Sequence, residues 1–178
     1  MKEELKNKTV ALITPSLDYE SLKDCDIVIE AVYENLELKH KIFMELDKHV
    51  KPEAILATNT SGLDIDSIAS TTNRPEKIVG THFFSPANIM KLLEVVRGEN
   101  TSNETLATVM KISKAIKKTA VLSLNAPGFI GNRMLLGYSK QANMLLLEGA
   151  LPSQIDNAIE AFGLNMGPFR MMDLIGLD

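Results

Sequence analysis

The chain has 178 residues, 45% of them hydrophobic, and a formal net charge of −4, values that fit a soluble globular protein of one domain or slightly more. Charges of both signs are interspersed, and no run of Lys and Arg offers the clustered positive charge that phosphate binding requires, so nucleic acid is excluded as a partner. No segment reaches the roughly eighteen apolar residues of a membrane span, and Cys25 as the only cysteine rules out a disulfide framework or a Cys-based zinc site, so no metal centre is expected.

Along the chain, Asp26 to Val32 is a β-branched run of the kind that forms a strand buried on both faces, as in parallel sheets. From Asn35 to Val50, Leu38, Ile42, Phe43, Leu46 and Val50 recur at helical spacing, while Lys39, His40, Lys41, Lys48 and His49 fall largely outside that stripe. Both helical histidines are expected in solvent. Pro52 lies just beyond the helix, and Ala54 to Thr58 reads as a second strand, so strand, helix and strand make one βαβ unit and imply a parallel sheet. Ile65 to Ser70 predicts a short helical turn, and Lys77 to Phe84 a third strand ended by Ser85-Pro86. Leu92 to Arg97 and Thr119 to Leu124 predict two more, separated by a helix from about Asn103 to Lys117. Asn125-Ala126-Pro127-Gly128 breaks this pattern, and the remainder is helical: about Asn132 to Glu148 ending at Gly149, then Pro152 to near Gly163, then a helix after Gly167-Pro168.

The fold class expected is therefore α/β, a partial Rossmann-like and mainly parallel sheet (residues 1–124) followed by the start of an all-helical domain (125–178). Two features are unusual for a complete protein of this design. No G-x-G-x-x-G occurs, so the strand and Gly-rich turn that normally open such a sheet are expected to be missing. The chain also stops at Gly176-Leu177-Asp178, inside what should be a helix docking against others.

Three stretches stand at strand ends, where open α/β sheets place their ligands: Asn59-Thr60-Ser61, Gly80 to Pro86, and Leu92 to Val96. His82 and Glu94 are polar groups at positions where burial is expected, and a buried carboxylate needs a partner. An imidazole with one nitrogen bonded to a carboxylate is fixed in tautomer and made more basic, leaving the other nitrogen to remove a proton. These two side chains could form that dyad, or be a satisfied core histidine and an edge-strand glutamate. On local signals alone, Ser61 and Asn132 read as helix caps, and Glu34 and Lys39 as a solvated helix start.

Several motifs resemble one family. Ile29-Glu30-Ala31-Val32-Tyr33-Glu34-Asn35, Thr58-Asn59-Thr60-Ser61, His82-Phe83-Phe84-Ser85-Pro86, Met90-Lys91-Leu92-Leu93-Glu94, Pro127-Gly128-Phe129-Ile130-Gly131-Asn132-Arg133 and Met166-Gly167-Pro168-Phe169 together resemble the L-3-hydroxyacyl-CoA dehydrogenases, with spacing kept from about Leu12 onward. Phe-Phe-Ser-Pro-Ala and Gly-Pro-Phe-Arg are most similar to the multifunctional β-oxidation proteins, in which this unit is fused to an enoyl-CoA hydratase. The resemblance implies NAD as cofactor and an acyl-CoA as substrate. It implies His82 as catalytic base, Glu94 as the carboxylate that orients it, and Ser61 and Asn132 as donors to the reacting oxygens. It also implies contacts to NAD from Glu34, Lys39, Asn59, Ser61 and Ser85, where Ser85 replaces the Asn of single-function relatives. The location implied is peroxisomal if the multifunctional likeness holds, and otherwise mitochondrial or cytoplasmic. Two alternatives stand beside this reading: an inactive product or binding remnant lacking the dinucleotide loop, and a dehydrogenase of small β-hydroxyacids. The His-Glu pair argues against the second, because such enzymes rely on a lysine for proton transfer.

Overall fold

The protein is described by a computed structural model covering residues 3–176, so Leu177 and Asp178, part of the expected terminal helix, lie outside the described residues. The chain divides into two compact units, Met1–Phe129 and Ile130–Asp178. The first contains α1 (Glu3–Val10), β1 (Ile27–Glu30), α2 (Leu36–His49), β2 (Ile55–Thr58), α3 (Ile65–Ala69), β3 (Ile78–Phe83), β4 (Leu92–Arg97), α4 (Asn103–Ala115) and β5 (Thr119–Leu124), with short 3₁₀ turns at Tyr19–Leu22 and Pro75–Lys77.

The five strands form one sheet in sequence order. β1–β2, β2–β3 and β4–β5 pair in parallel, whereas β3 and β4 run antiparallel. Parallel neighbours need a helical crossover, which α2, α3 and α4 supply, while the short loop after Phe83 can only reverse the chain. Period-two alternation then sends successive residues to opposite faces. Leu56, Ile78 and Val96 join Phe43, Leu46, Ile65, Ile68 and Phe129 in one core, whereas Ile55, Ala57, Val79, Leu93 and Val95 join Leu106 and Val109 in the other. Each of these Val, Leu, Ile and Phe side chains contributes about 1.5–3 kcal/mol by leaving water. Gly80 permits this packing, since a Cβ there would lie 2.7 Å from Cβ of Val96 and 3.0 Å from Cδ1 of Ile65.

The expected double burial of the first strand is not found. β1 has one strand neighbour among the described residues, and Ile29 is 43% exposed. The helical histidines also differ from expectation: both are half-buried, His40 Nε2 lying 3.1 Å from Ser67 Oγ and His49 Nδ1 2.8 Å from Glu20 Oε1. α3 and the 3₁₀ turn at Tyr19–Leu22 supply these partners, which periodicity within one helix does not reveal.

α2 ends on a buried guanidinium. Arg74 donates from Nε to Asp47 Oδ1 (2.7 Å) and from its terminal nitrogens to the carbonyls of Asp47, Val50 and Lys51. The backbone and side chain of Asn73 donate to the other Asp47 oxygen. Burial would raise the Asp47 pKa, but the bonds from Asn73 and Arg74 and the Arg74 charge bring it below its ordinary value. Arg74→Ala leaves the buried Asp47 carboxylate without its counter-charge and removes the guanidinium bonds to three carbonyls, and is expected to destabilise the fold by about 3 kcal/mol; a denaturant midpoint unchanged from the parent would count against this account.

In the second unit, α5 (Gly131–Leu147), α6 (Pro152–Phe162) and α7 (Pro168–Ile175) confirm the all-helical expectation. Asp156, only 3% exposed, accepts from the backbone N–H groups of Phe169 and Arg170 and so caps α7. Gly167 makes room for it, because a Cβ there would approach Asp156 to 2.3 Å. Residues 125–129, expected to begin the helical domain, stay with the first unit. Asn125 accepts from the N–H of Ile65 and donates to Asp64 and Asp66, and Gly128 and Phe129 both adopt positive φ (69° and 47°), turning the chain so that the Phe129 ring enters the core. No helix among the described residues is long and apolar enough to cross a membrane.

Candidate active site

Direct register across β3 and β4 sets His82 opposite Glu94, and opposed residues of an antiparallel pair share a face. His82 Nδ1 lies 2.7 Å from Glu94 Oε2, with the residues 7% and 1% exposed. The carboxylate fixes Nδ1–H as the donor and leaves the Nε2 lone pair for a substrate proton. The imidazole is flanked by Phe84 (ring centroids 4.5 Å apart) and Phe129 (6.1 Å). These rings keep water from the pair and limit the rotamers of His82. Phe129 belongs to a motif recognised in the sequence, yet its place beside the histidine depends on the two left-handed residues and could not be foreseen.

The end of β2 supplies a second group. Asn59 donates its N–H to the Glu30 carbonyl and accepts at Oδ1 from the N–H of Phe83 (2.8 Å), so it joins the ends of β1, β2 and β3. Beyond it, Glu34 Oε1 accepts from Thr60 Oγ1 (2.5 Å), Ser61 N (2.7 Å) and Ser61 Oγ (3.1 Å). Partial burial would raise the Glu34 pKa, but these bonds and the Lys39 charge outweigh it and bring the carboxyl below its ordinary value. Ser61 is not a helix cap, since Asp64 caps α3. Asn132 is not one either: α5 opens at Gly131 with Ile130 before it, placing Asn132 second in the helix within the other unit.

Lys39 departs furthest from the picture of a solvated helix start. It is 1% exposed, with Nζ 2.7 Å from Glu30 Oε1, 3.0 Å from Oε2 and 3.4 Å from Glu34 Oε2. Glu30, itself 4% exposed, also accepts from Val32 N (2.6 Å) and Thr58 Oγ1 (2.7 Å). Sequence reasoning missed Glu30 although the signal was present: it is a carboxylate inside a β-branched run, the same anomaly that singled out Glu94. Ser85 lies exposed in the loop after β3, where Lys118 Nζ donates to the carbonyls of Ala87 and Met90.

A shallow hollow of about 430 Å³ lined by Ala31, Val32, Tyr33, Leu38 and Ile42 opens at the C-terminal end of β1. This apolar shelf lies close in sequence to Glu34. The 178 residues contain no G-x-G-x-x-G to receive a pyrophosphate.

Comparisons with known proteins agree with one another. Residues 1–126 match the family described as 3-hydroxyacyl-CoA dehydrogenase, NAD binding domain, and residues 128–178 its C-terminal domain. The human peroxisomal bifunctional enzyme is 56% identical over 153 residues, covering 86% of this chain and 21% of that protein. An Arabidopsis thaliana peroxisomal fatty acid beta-oxidation multifunctional protein is 48% identical over 176 residues, 99% of this chain and 24% of its own. The chain thus spans under a quarter of the length of these relatives. Among solved structures, (S)-3-hydroxybutyryl-CoA dehydrogenase from Ralstonia eutropha superposes with a TM-score of 0.94 at 39% identity, covering the whole of this chain and 64% of the other. The dehydrogenase part of a multifunctional enzyme from C. elegans gives 0.67 at 33% identity, covering all of this chain and 44% of that one.

Proposed function

Because this chain belongs to the 3-hydroxyacyl-CoA dehydrogenase family, we propose that it is part of an oxidoreductase that converts L-3-hydroxyacyl-CoA to 3-ketoacyl-CoA with NAD in fatty-acid β-oxidation. The observation that carries this reading is the buried His82–Glu94 pair at 2.7 Å. In the proposed reaction Nε2 of His82 takes the proton of the 3-hydroxyl as the adjacent carbon gives up a hydride. NAD, when bound, supplies the hydride acceptor. Glu94 holds the ring in its tautomer and stabilises the imidazolium that forms. Ser61 and Asn132 are proposed to donate hydrogen bonds where charge on the reacting oxygens changes, each worth up to a few kcal/mol in a dry site.

On the cofactor side, Glu34, Lys39, Asn59, Ser61 and Ser85 are the proposed residues. A peroxisomal location and an enoyl-CoA hydratase domain as partner are proposed from the likeness to bifunctional and multifunctional relatives named as peroxisomal. The test is the appearance of NADH when a 3-hydroxyacyl-CoA and NAD are supplied to a form of the protein that also carries a Gly-rich turn. No NADH from any acyl chain length, under conditions where NAD binds, would remove the proposal.

A further inference from the structure

We propose that Glu30 and Lys39 are positioning residues, a buried ion pair that sets the orientation of Glu34 and, through it, of Ser61. The consequence for turnover rests on the dehydrogenase reading above; the effect on Ser61 itself does not.

Four hydrogen bonds reach Glu30 from three directions. Val32 N comes from its own strand end, Thr58 Oγ1 from β2, and Lys39 Nζ from α2 to both oxygens. So bound, the carboxylate is a fixed point of the sheet. Lys39 hangs from it, and its remaining reach is toward Glu34 Oε2 at 3.4 Å. Glu34 is divided between the two sides: one oxygen faces the ammonium and the other accepts from Thr60 Oγ1, Ser61 N and Ser61 Oγ. The Glu34 side chain is 41% exposed, so it has room to swing into water unless something holds it. Among the described residues the cation facing its second oxygen is Lys39.

Stability does not by itself call for such a pair. Two buried charges pay a desolvation cost that often matches or exceeds their attraction, and an apolar pair of similar volume can be as stable. An apolar pair cannot, however, present a positive charge to Glu34.

The double variant Glu30→Gln/Lys39→Met separates this role from plain structural support, because it buries no unpaired charge. Two readouts apply to it. In the 178-residue chain, the Ser61 amide proton is expected to lose the downfield shift that a carboxylate acceptor gives. In a form that carries a Gly-rich turn, kcat is expected to fall by about 10-fold, with KM for the acyl-CoA changing by less than about twofold, since small misplacements of a positioned group act on the reacting geometry. Thermal stability should stay near that of the parent. Glu34→Gln is expected to give the same Ser61 shift and to add little when combined with the double variant. A folded double variant with an unmoved Ser61 amide, or with parental kcat, overturns the proposal. Should the double variant fail to fold, Thr58→Val removes only one bond to Glu30, and the Ser61 amide must then move in the same direction by a smaller amount; no movement again overturns it. If the parent itself forms no NADH, the functional reading fails while the amide shift still decides the positioning claim.

Discussion

Replacing His82 by alanine, in a form of the protein that carries a Gly-rich turn, is expected to lower the rate of NADH formation from a 3-hydroxyacyl-CoA by about 10² to 10⁴. The imidazole is held by Glu94 at 2.7 Å, is nearly buried, and is walled by Phe84 and Phe129. Glu94→Gln should cost less, since the amide oxygen can still accept from Nδ1–H. It loses the charge that stabilises the imidazolium, and if the amide turns its NH₂ toward the ring the wrong tautomer is selected and the loss approaches that of the alanine variant. Both effects belong to the hydride-transfer step, so single-turnover measurements with 3-deuterated substrate should reveal them with the isotope effect retained. Unchanged turnover in His82→Ala would take the histidine out of the mechanism.

The second large effect concerns the cofactor. By themselves the 178 residues are expected to bind NAD weakly and to give no useful turnover, even with the His82–Glu94 pair in place. Dinucleotide affinity in this architecture depends on backbone N–H groups and a helix dipole aimed at the pyrophosphate, supplied by a Gly-rich turn that this sequence does not contain. Among the described residues β1 is an edge of the sheet, with Ile29 43% exposed and Val32 and Tyr33, just beyond it, 39% and 86% exposed. Such an edge invites pairing with another chain. Calorimetric titration with NAD, set beside a form carrying the Gly-rich turn, tests the affinity, and light scattering tests the edge. Micromolar NAD binding by the 178 residues with turnover equal to the longer form would refute the expectation and with it the importance assigned to the turn.

Much of this protein could be read without its structure. Strand and helix limits follow from periodicity and from Pro, Gly and capping residues, which act within a few positions; hence β4 and β5 fall at Leu92–Arg97 and Thr119–Leu124 as expected, and α3 at Ile65–Ala69 within a residue of it. His82 and Glu94 stood out for a local reason too, as ionisable groups in apolar strands. What brings them together is not local. Only an antiparallel β3–β4 pair in this register sets residue 82 against residue 94 on the same face, and a slip of one position would send one of them to the opposite core. The same holds for Lys39, whose helix position looked solvent-facing until β1 and β2 brought Glu30 and Thr58 beneath it, and for Glu34, whose partners Thr60 and Ser61 lie 26 and 27 residues along the chain. Pattern in a sequence reports the period of each element and so which residues can be buried; it does not report the register between elements, and in this protein register decides which buried charge finds which partner.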